Sequence, residues 1–130
     1  RRRSKFAEVI GWNVQWGDKV DMLLRMQEQG QSPPALHNRP TLIDRLHWFY
    51  ACFCEMSSDR SYIENTPLRL TTGQIHIYWS AYKLYDFEGF AQKMRLIDHI
   101  WHTKVLEKQA AKASAAKRPN GSPPPRLNNG

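Results

Sequence analysis

The sequence predicts an all-α fold, a small bundle of about four helices that ends in a disordered basic C-terminal tail. Apolar residues along the middle of the chain recur at steps of three and four, which is the spacing of one helix face. Residues that commonly cap helices precede several of these segments. With 130 residues, the chain has the length of one ordinary domain. We expect a helical domain over residues 18–107, an N-terminal segment over 1–17 and the tail over 108–130.

Two candidate helices lie near the start of the chain. In the N-terminal segment, apolar residues at helical spacing are consistent with a short helix, although glycines within and after them weaken that interpretation. These apolar residues are Phe6, Val9, Ile10 and Val14. The stretch DKVDMLLRMQEQG then supplies Asp18 as a cap and Gly30 as a C-terminal stop. It predicts a short helix that needs a packing partner to be stable.

A central helix is predicted over residues 41–57, after a connector, QSPPALHNRP, whose prolines disfavour regular structure. Thr41 is placed to cap this helix, and Asp44 is placed to reach back to the backbone of the cap. The apolar side chains of the helix cover a wide arc, which indicates packing on two sides. They are Leu42, Leu46, Phe49, Phe53 and Met56 on one side, with Ile43, Tyr50 and Cys54 beside them.

Two more helices are predicted after a loop over residues 61–70. The first has Thr71 or Thr72 as its cap, and its β-branched and aromatic residues leave a strand near 74–79 as an alternative. The second follows Asp86 and has the most regular apolar period of the chain. That period comprises Phe87, Phe90, Met94, Ile97, Trp101 and Val105.

The net charge of +7 is concentrated at the two ends of the chain. Residues 1–5 carry four cations and residues 108–130 carry five, whereas residues 6–107 hold ten Lys and Arg against twelve Asp and Glu. A nucleic-acid surface needs a stripe of cations fixed on the fold, so this distribution argues against a nucleic-acid partner. No apolar run approaches the roughly 18–20 residues of a membrane span, so we expect a soluble chain.

Two cysteines, Cys52 and Cys54, lie among aromatic residues in the predicted central helix. At about 100° per residue their side chains point to nearly opposite sides, so they cannot share one metal ion or form a disulfide without strain. A free cysteine packs as a small apolar residue. We therefore expect reduced thiols, an intracellular setting, no metal site and no cofactor.

The stretch DHIWH contains Asp98, His99 and His102, but no further ligand stands at a spacing that suits a metal. A carboxylate beside a packed apolar stripe needs a partner. We predict that Asp98 forms a structural ion pair with Arg60 or with Arg95. No phosphate-binding loop, nucleophile elbow or acid and base pair is evident, so the sequence predicts no catalytic residue and no enzymatic activity.

Several aromatic residues fall at the edges of the apolar stripes, where such side chains either complete a small core or anchor a protein partner. Their number exceeds what one small core easily hides. Those predicted to bind a partner are Trp48, Tyr50, Trp79, Tyr82 and Trp101.

The segment 35–105 resembles the tail assembly chaperones, a family of small proteins encoded among the tail genes of long-tailed bacteriophages. The shared pattern is Arg-Pro before an aromatic helix, then Trp, Ala and Phe within it, Ser-x-x-Arg at its end, and Arg-x-x-Asp near the end of the last helix. The matching residues are Arg39, Pro40, Trp48, Ala51, Phe53, Ser57, Arg60, Arg95 and Asp98. This chain has IENTPLRLTT where the family usually carries a Gly-rich stretch.

The resemblance implies a non-enzymatic protein that binds the phage tape-measure protein and tail proteins, such as the tail tube protein, during virion morphogenesis. It also implies that the protein acts in the cytoplasm of the bacterial host and is absent from the finished particle. Two other interpretations remain open. One is a nucleic-acid-binding module in which helices near 72–84 and 87–106 form a helix-turn-helix, and Lys93, Arg95, Lys104 and the basic tail contact phosphates. The other is a structural connector subunit of the virion, which self-association into a homo-oligomeric ring would favour.

Overall fold

The computed structural model describes residues 5–83 and 85–116. These residues form a bundle of α-helices with one 3-10 helix and one small β-hairpin. The helices are α1 (Lys5–Trp16), α2 (Val20–Glu28), α3 (Pro34–His37), α4 (Asp44–Ser57), α5 (Thr72–Tyr82) and α6 (Phe87–Ala116); the 3-10 helix is Gly17–Lys19, and the strands are β1 (Tyr62–Ile63) and β2 (Thr66–Pro67). The predicted all-α class is confirmed.

The long helix α6 is the central helix of the bundle, and α1, α4 and α5 all pack against it. The apolar period predicted for α6 faces the core from Phe87 to Trp101, whereas Val105 lines a cavity beyond it. The core also contains Phe6 and Ile10 from α1. The residues that α6 buries there include Phe90, Ala91, Met94 and Ile97. The segment 1–17, predicted to precede the helical domain, therefore supplies one of its core helices.

Helix α4 crosses the same core, but it is more one-sided than predicted. The residues that it buries are Phe49, Cys52, Phe53 and Met56. Ile43, just before the helix, remains 66% exposed, and Cys54 is exposed as well, so the second apolar side predicted for this helix is mostly at the surface. The predicted cap at Thr41 is wrong, because the helix starts at Asp44 and the capping residue is Ile43, which makes no side-chain bond.

Helix α5 begins where the sequence predicts. The side chain of Thr71 accepts a hydrogen bond of 3.1 Å from the Gln74 N–H, and the side chain of Gln74 accepts one of 2.9 Å from the Thr71 N–H. This reciprocal capping box satisfies two donors at the start of the helix. Because residues 72–82 are helical, the alternative strand near 74–79 is excluded.

The predicted loop over residues 61–70 folds back through the antiparallel strands β1 and β2. Glu64 and Asn65 join the strands with φ angles of 50° and 71°. Two contacts tie this hairpin to α6: the Nε2 atom of His102 lies 2.8 Å from the Pro67 carbonyl oxygen, and the side chain of Gln109 donates a 3.1 Å hydrogen bond to the Asn65 carbonyl. The hairpin thus brings the end of the loop onto α6.

Three segments differ from the prediction. Asp18 does not cap a helix but lies in the 3-10 helix before α2. The proline-rich connector contains α3, because a proline in the first turn of a helix leaves no needed donor missing. α6 continues to Ala116, so the boundary predicted after residue 107 falls too early. The rest of the predicted tail, residues 117–130, lies outside the described residues.

Candidate functional site

A buried ion cluster joins α4, the loop and α6. The carboxylate of Asp98 is almost fully enclosed, and its Oδ1 atom lies 2.7 Å from Nη1 of Arg60. The contact with Oδ1 is ionic rather than an aligned hydrogen bond. The Oδ2 atom accepts hydrogen bonds of 2.8 Å from Nε of Arg69 and 3.0 Å from the backbone N–H of Leu70. Asp98 therefore holds the end of the loop onto α6.

Each of the three nitrogen atoms of the Arg60 guanidinium donates a hydrogen bond. Its Nε and Nη2 atoms donate to the Ser57 hydroxyl at 3.1 and 2.9 Å, and Nη1 donates to the Leu68 carbonyl at 2.8 Å. The ring of Trp101 lies 4.0 Å from the guanidinium carbon, which adds a cation–π contact. Such a packed and fully engaged cation is a structural element rather than a reactive group.

Arg95, the other predicted partner of Asp98, is not the second cation of the cluster. Its guanidinium instead donates to the Thr72 hydroxyl at 3.3 Å. The second cation is Arg69, which the sequence analysis did not name. The C-terminal end of the loop lies on Asp98 through the Leu70 N–H. Arg69, the neighbour of Leu70, is therefore better placed to bind Asp98 than Arg95, which lies on the outer side of α6.

The aromatic residues predicted to bind a partner are mostly committed to internal contacts. Trp48 packs against Phe49, Tyr85 and Phe90 at ring distances of 5.2, 5.5 and 6.2 Å. The indole N–H of Trp79 donates to the backbone carbonyl of Tyr85 at 2.6 Å. Both residues are half-buried and stabilise the junction of α4, α5 and α6.

The other three aromatic residues differ in exposure. Tyr50 accepts a 2.8 Å hydrogen bond from the side chain of Asn13, and burial raises the pKa of its hydroxyl to about 12. Tyr50 and Trp101 line the same small cavity of about 310 Å³ beside Lys108 and Lys112. Tyr82 is 53% exposed and is the most accessible of the predicted residues.

A different groove lies between the end of α4 and the outer face of α5, and we call it the α4–α5 groove. It has a volume of about 400 Å³. Its lining residues are Glu55, Met56, Ser58, Asp59, Gln74, Ile77 and Tyr78. Ile77 is 73% exposed, an extreme value for a large apolar side chain in a helix that packs on a core.

The α4–α5 groove combines this apolar side chain with two carboxylates. The Tyr78 hydroxyl donates a short hydrogen bond to Glu55, and burial, followed by that bond, raises the pKa of Tyr78. Tyr78 therefore stays neutral and acts as the hydrogen-bond donor to Glu55. Among residues 5–83 and 85–116, no Lys or Arg forms an ion pair with Glu55 or with Asp59.

The cysteines and histidines do not assemble a metal centre. Cys52 is buried and Cys54 is exposed, both as free thiols. Within the part of the chain that the structure describes, no three His, Cys, Asp or Glu side chains are grouped in a way that would hold a metal ion. His99 is exposed, while His102 is engaged with the hairpin.

The cations proposed for nucleic-acid contact are spread over several environments. Lys93 lies 6.0 Å above the ring of Phe49, and Arg95 is bound to Thr72. Lys104 borders a separate cavity between α1 and α6, where Glu8 and Glu107 also lie. Lys93, Arg95 and Lys104 therefore lie in three different environments, and Lys104 has glutamates beside it.

Sequence reasoning missed Ile77, Glu55 and Asp59 as groove residues. Ile75, also in α5, is fully buried. Residues two apart in a helix point about 200° away from each other, so Ile77 has to face outward whenever Ile75 faces inward. The spacing of the two isoleucines therefore indicated that one of them is exposed, but it did not indicate which one.

No family model matches this chain, and no match is found among curated proteins or among solved structures. Within the described ranges, no helix is both long enough and apolar enough to cross a membrane.

Proposed function

We propose that this protein is a non-enzymatic phage tail assembly chaperone that binds tape-measure and tail proteins during virion morphogenesis in the cytoplasm of the bacterial host. The observation that carries the proposal is the convergence of the resemblance pattern on one contact. Ser57 and Arg60 come from the Ser-x-x-Arg element, Asp98 comes from the Arg-x-x-Asp element, and the three meet in the buried ion cluster.

That convergence gives the pattern a physical reason. The two short elements lie far apart in sequence and join the end of α4 to α6, so a related fold that uses this contact would carry the same residue types at these places. The contact between residues of the two elements supports the proposal. Arg95, which also belongs to the pattern, links α6 to the start of α5 through Thr72.

The surface of the bundle supports a holding function without chemistry. Ile77 and Tyr82 leave large apolar side chains at the surface of α5. Covering such surface contributes about 25 cal/mol for each Å² removed from water, which is enough for reversible association. A protein that holds a helical partner needs an apolar face of this kind.

Co-expression tests the proposal. The chain is produced together with the long helical tape-measure protein encoded in the same tail gene cluster, and the tape-measure protein is also produced alone as the matched control. We expect a soluble complex that co-purifies, and an insoluble or degraded tape-measure protein in the control. A tape-measure protein that is equally soluble in both cultures and does not co-purify would contradict the proposed function.

A further inference from the structure

The α4–α5 groove has an unusual electrostatic setting in a chain of net charge +7. Neither residues 55–59, at the end of α4, nor residues 71–82, which form the cap and body of α5, contain a Lys or Arg. Arg60 follows directly, but its side chain is withdrawn from solvent and paired with Asp98. The groove is therefore a local negative surface, whereas the excess of positive charge lies at the two ends of the chain.

The other charged or titratable groups near the groove leave this character unchanged. His76 projects from α5 but packs against Trp79 and Phe87 at ring distances of 5.6 and 5.1 Å. Lys83 lies one residue past the end of α5, beyond the groove lining. Glu55 and Asp59 thus line the groove together with the exposed side chain of Ile77.

We propose that the α4–α5 groove binds a basic amphipathic helix of the partner protein, with its apolar side chains on Ile77 and its Lys or Arg side chains on Glu55 and Asp59. A helix fits because an apolar row flanked by cations at i+3 and i+4 matches an apolar floor flanked by carboxylates. The inference rests on the proposed function for the identity of the partner, whereas the chemistry of the groove is tested separately.

The charge of the groove also determines which kind of helix it prefers. A basic helix is attracted by the carboxylates of Glu55 and Asp59, with which no Lys or Arg of the described residues pairs, and it is repelled by the cationic ends of the chain. An acidic helix would meet the opposite conditions and bind elsewhere on the protein. The preference for a basic ligand is therefore informative, because the net charge alone predicts a preference for an acidic one.

Two designed peptides test the proposal by fluorescence anisotropy with the full chain. Both are labelled helices of about 18 residues with leucine on one face, and one carries lysine while the other carries glutamate on the remaining positions. We expect the leucine–lysine peptide to bind more tightly, and its affinity to fall as salt is added. Tighter binding of the leucine–glutamate peptide would overturn the proposal.

Variants locate the binding. Ile77→Ser should weaken the leucine–lysine peptide about tenfold, since a large apolar side chain is lost from the contact. Asp59→Lys should weaken it by a similar factor and strengthen the leucine–glutamate peptide. Ile43→Ser is the matched control, because Ile43 is 66% exposed but lies before α4, and it should change neither affinity. An unchanged affinity for Ile77→Ser would refute the groove assignment.

The same variants separate this inference from the proposed function. If the tape-measure protein co-purifies with the Asp59→Lys and Ile77→Ser variants as well as with the wild type, the groove is wrong and the chaperone function stands. If the leucine–lysine peptide binds in the groove but no tail protein co-purifies, the groove is right and the chaperone function is wrong.

Discussion

The guanidinium of Arg60 lies 2.7 Å from the carboxylate of Asp98, and both side chains are almost fully withdrawn from water. Arg60 follows α4 and Asp98 lies within α6, so this contact links the end of α4 to α6 beside their shared apolar core. The same carboxylate also binds Arg69 and the Leu70 N–H, which fixes the loop between the two helices. A buried pair of this kind positions elements more than it adds to stability.

Replacing Asp98 by alanine should strongly destabilise the fold. The variant leaves Arg60 as a buried charge without its carboxylate and leaves the Leu70 N–H without its acceptor. Breaking a buried ion pair from one side costs about 3–5 kcal/mol. Urea denaturation followed by circular dichroism should show this loss in the free energy of unfolding of Asp98→Ala.

Arg69→Ala is the control for that measurement. Its side chain is 45% exposed although it binds the same carboxylate. Because solvent reaches Arg69 and screens its side of the contact, and because Arg60 and the Leu70 N–H remain on Asp98, Arg69→Ala should cost less than Asp98→Ala. Equal destabilisation by Asp98→Ala and Arg69→Ala would show that burial does not govern the cluster.

Lysine should not replace Arg60. Arg60 uses three nitrogen atoms at once, toward Ser57, Leu68 and Asp98, and its flat face lies on Trp101. A lysine ammonium keeps the charge but lacks the planar fork, so Arg60→Lys should lower the free energy of unfolding by about 2 kcal/mol or more. A variant as stable as the wild type in the same urea titration would mean that charge alone is needed.

The capping box of α5 predicts a smaller effect. Thr71→Ala removes the hydroxyl that accepts the Gln74 N–H, and losing such a cap costs about 1 kcal/mol. Thr71→Ser retains the hydroxyl and serves as the control, with a cost near zero. Thermal melting of the two variants measures the difference, and identical melting temperatures would argue against the capping role of Thr71.

The helical framework was largely predictable, because regular spacing encodes it directly. Phe90, Met94 and Ile97 recur at the step of a helix face, and they are the residues that α6 buries. Helix ends were less predictable, because several neighbouring residues can serve as the first residue of a helix. Thr41 has the chemistry of a cap, yet the chain becomes helical only after Ile43. The connector likewise has prolines that permit a helical turn as well as an extended chain.

The candidate site was less predictable than the fold. A buried carboxylate needs a cation, which is sufficient reason to pair Asp98 with Arg60. Periodicity contains no information about the path of a loop, so it could not distinguish Arg69 from Arg95. The exposure of Ile77 depends on which face of α5 meets the core, and both Ile75 and Ile77 are suitable core residues until one of them is placed there.

The two thiols should differ sharply in reactivity. Cys52 is buried and Cys54 is exposed. Burial raises the pKa of the Cys52 thiol above its ordinary value of 9.0, and loss of hydration raises the pKa of Cys54 as well. Only the thiolate attacks a disulfide reagent.

We therefore expect one fast-reacting thiol per folded chain, the exposed Cys54. Its rate should still rise as the pH passes 9, because the raised pKa delays ionisation of Cys54. An aromatic disulfide reagent that releases a coloured thiolate measures this rate. Cys54→Ser should remove the fast reaction and Cys52→Ser should retain it, and the reverse result would show that the described face of α4 is inverted.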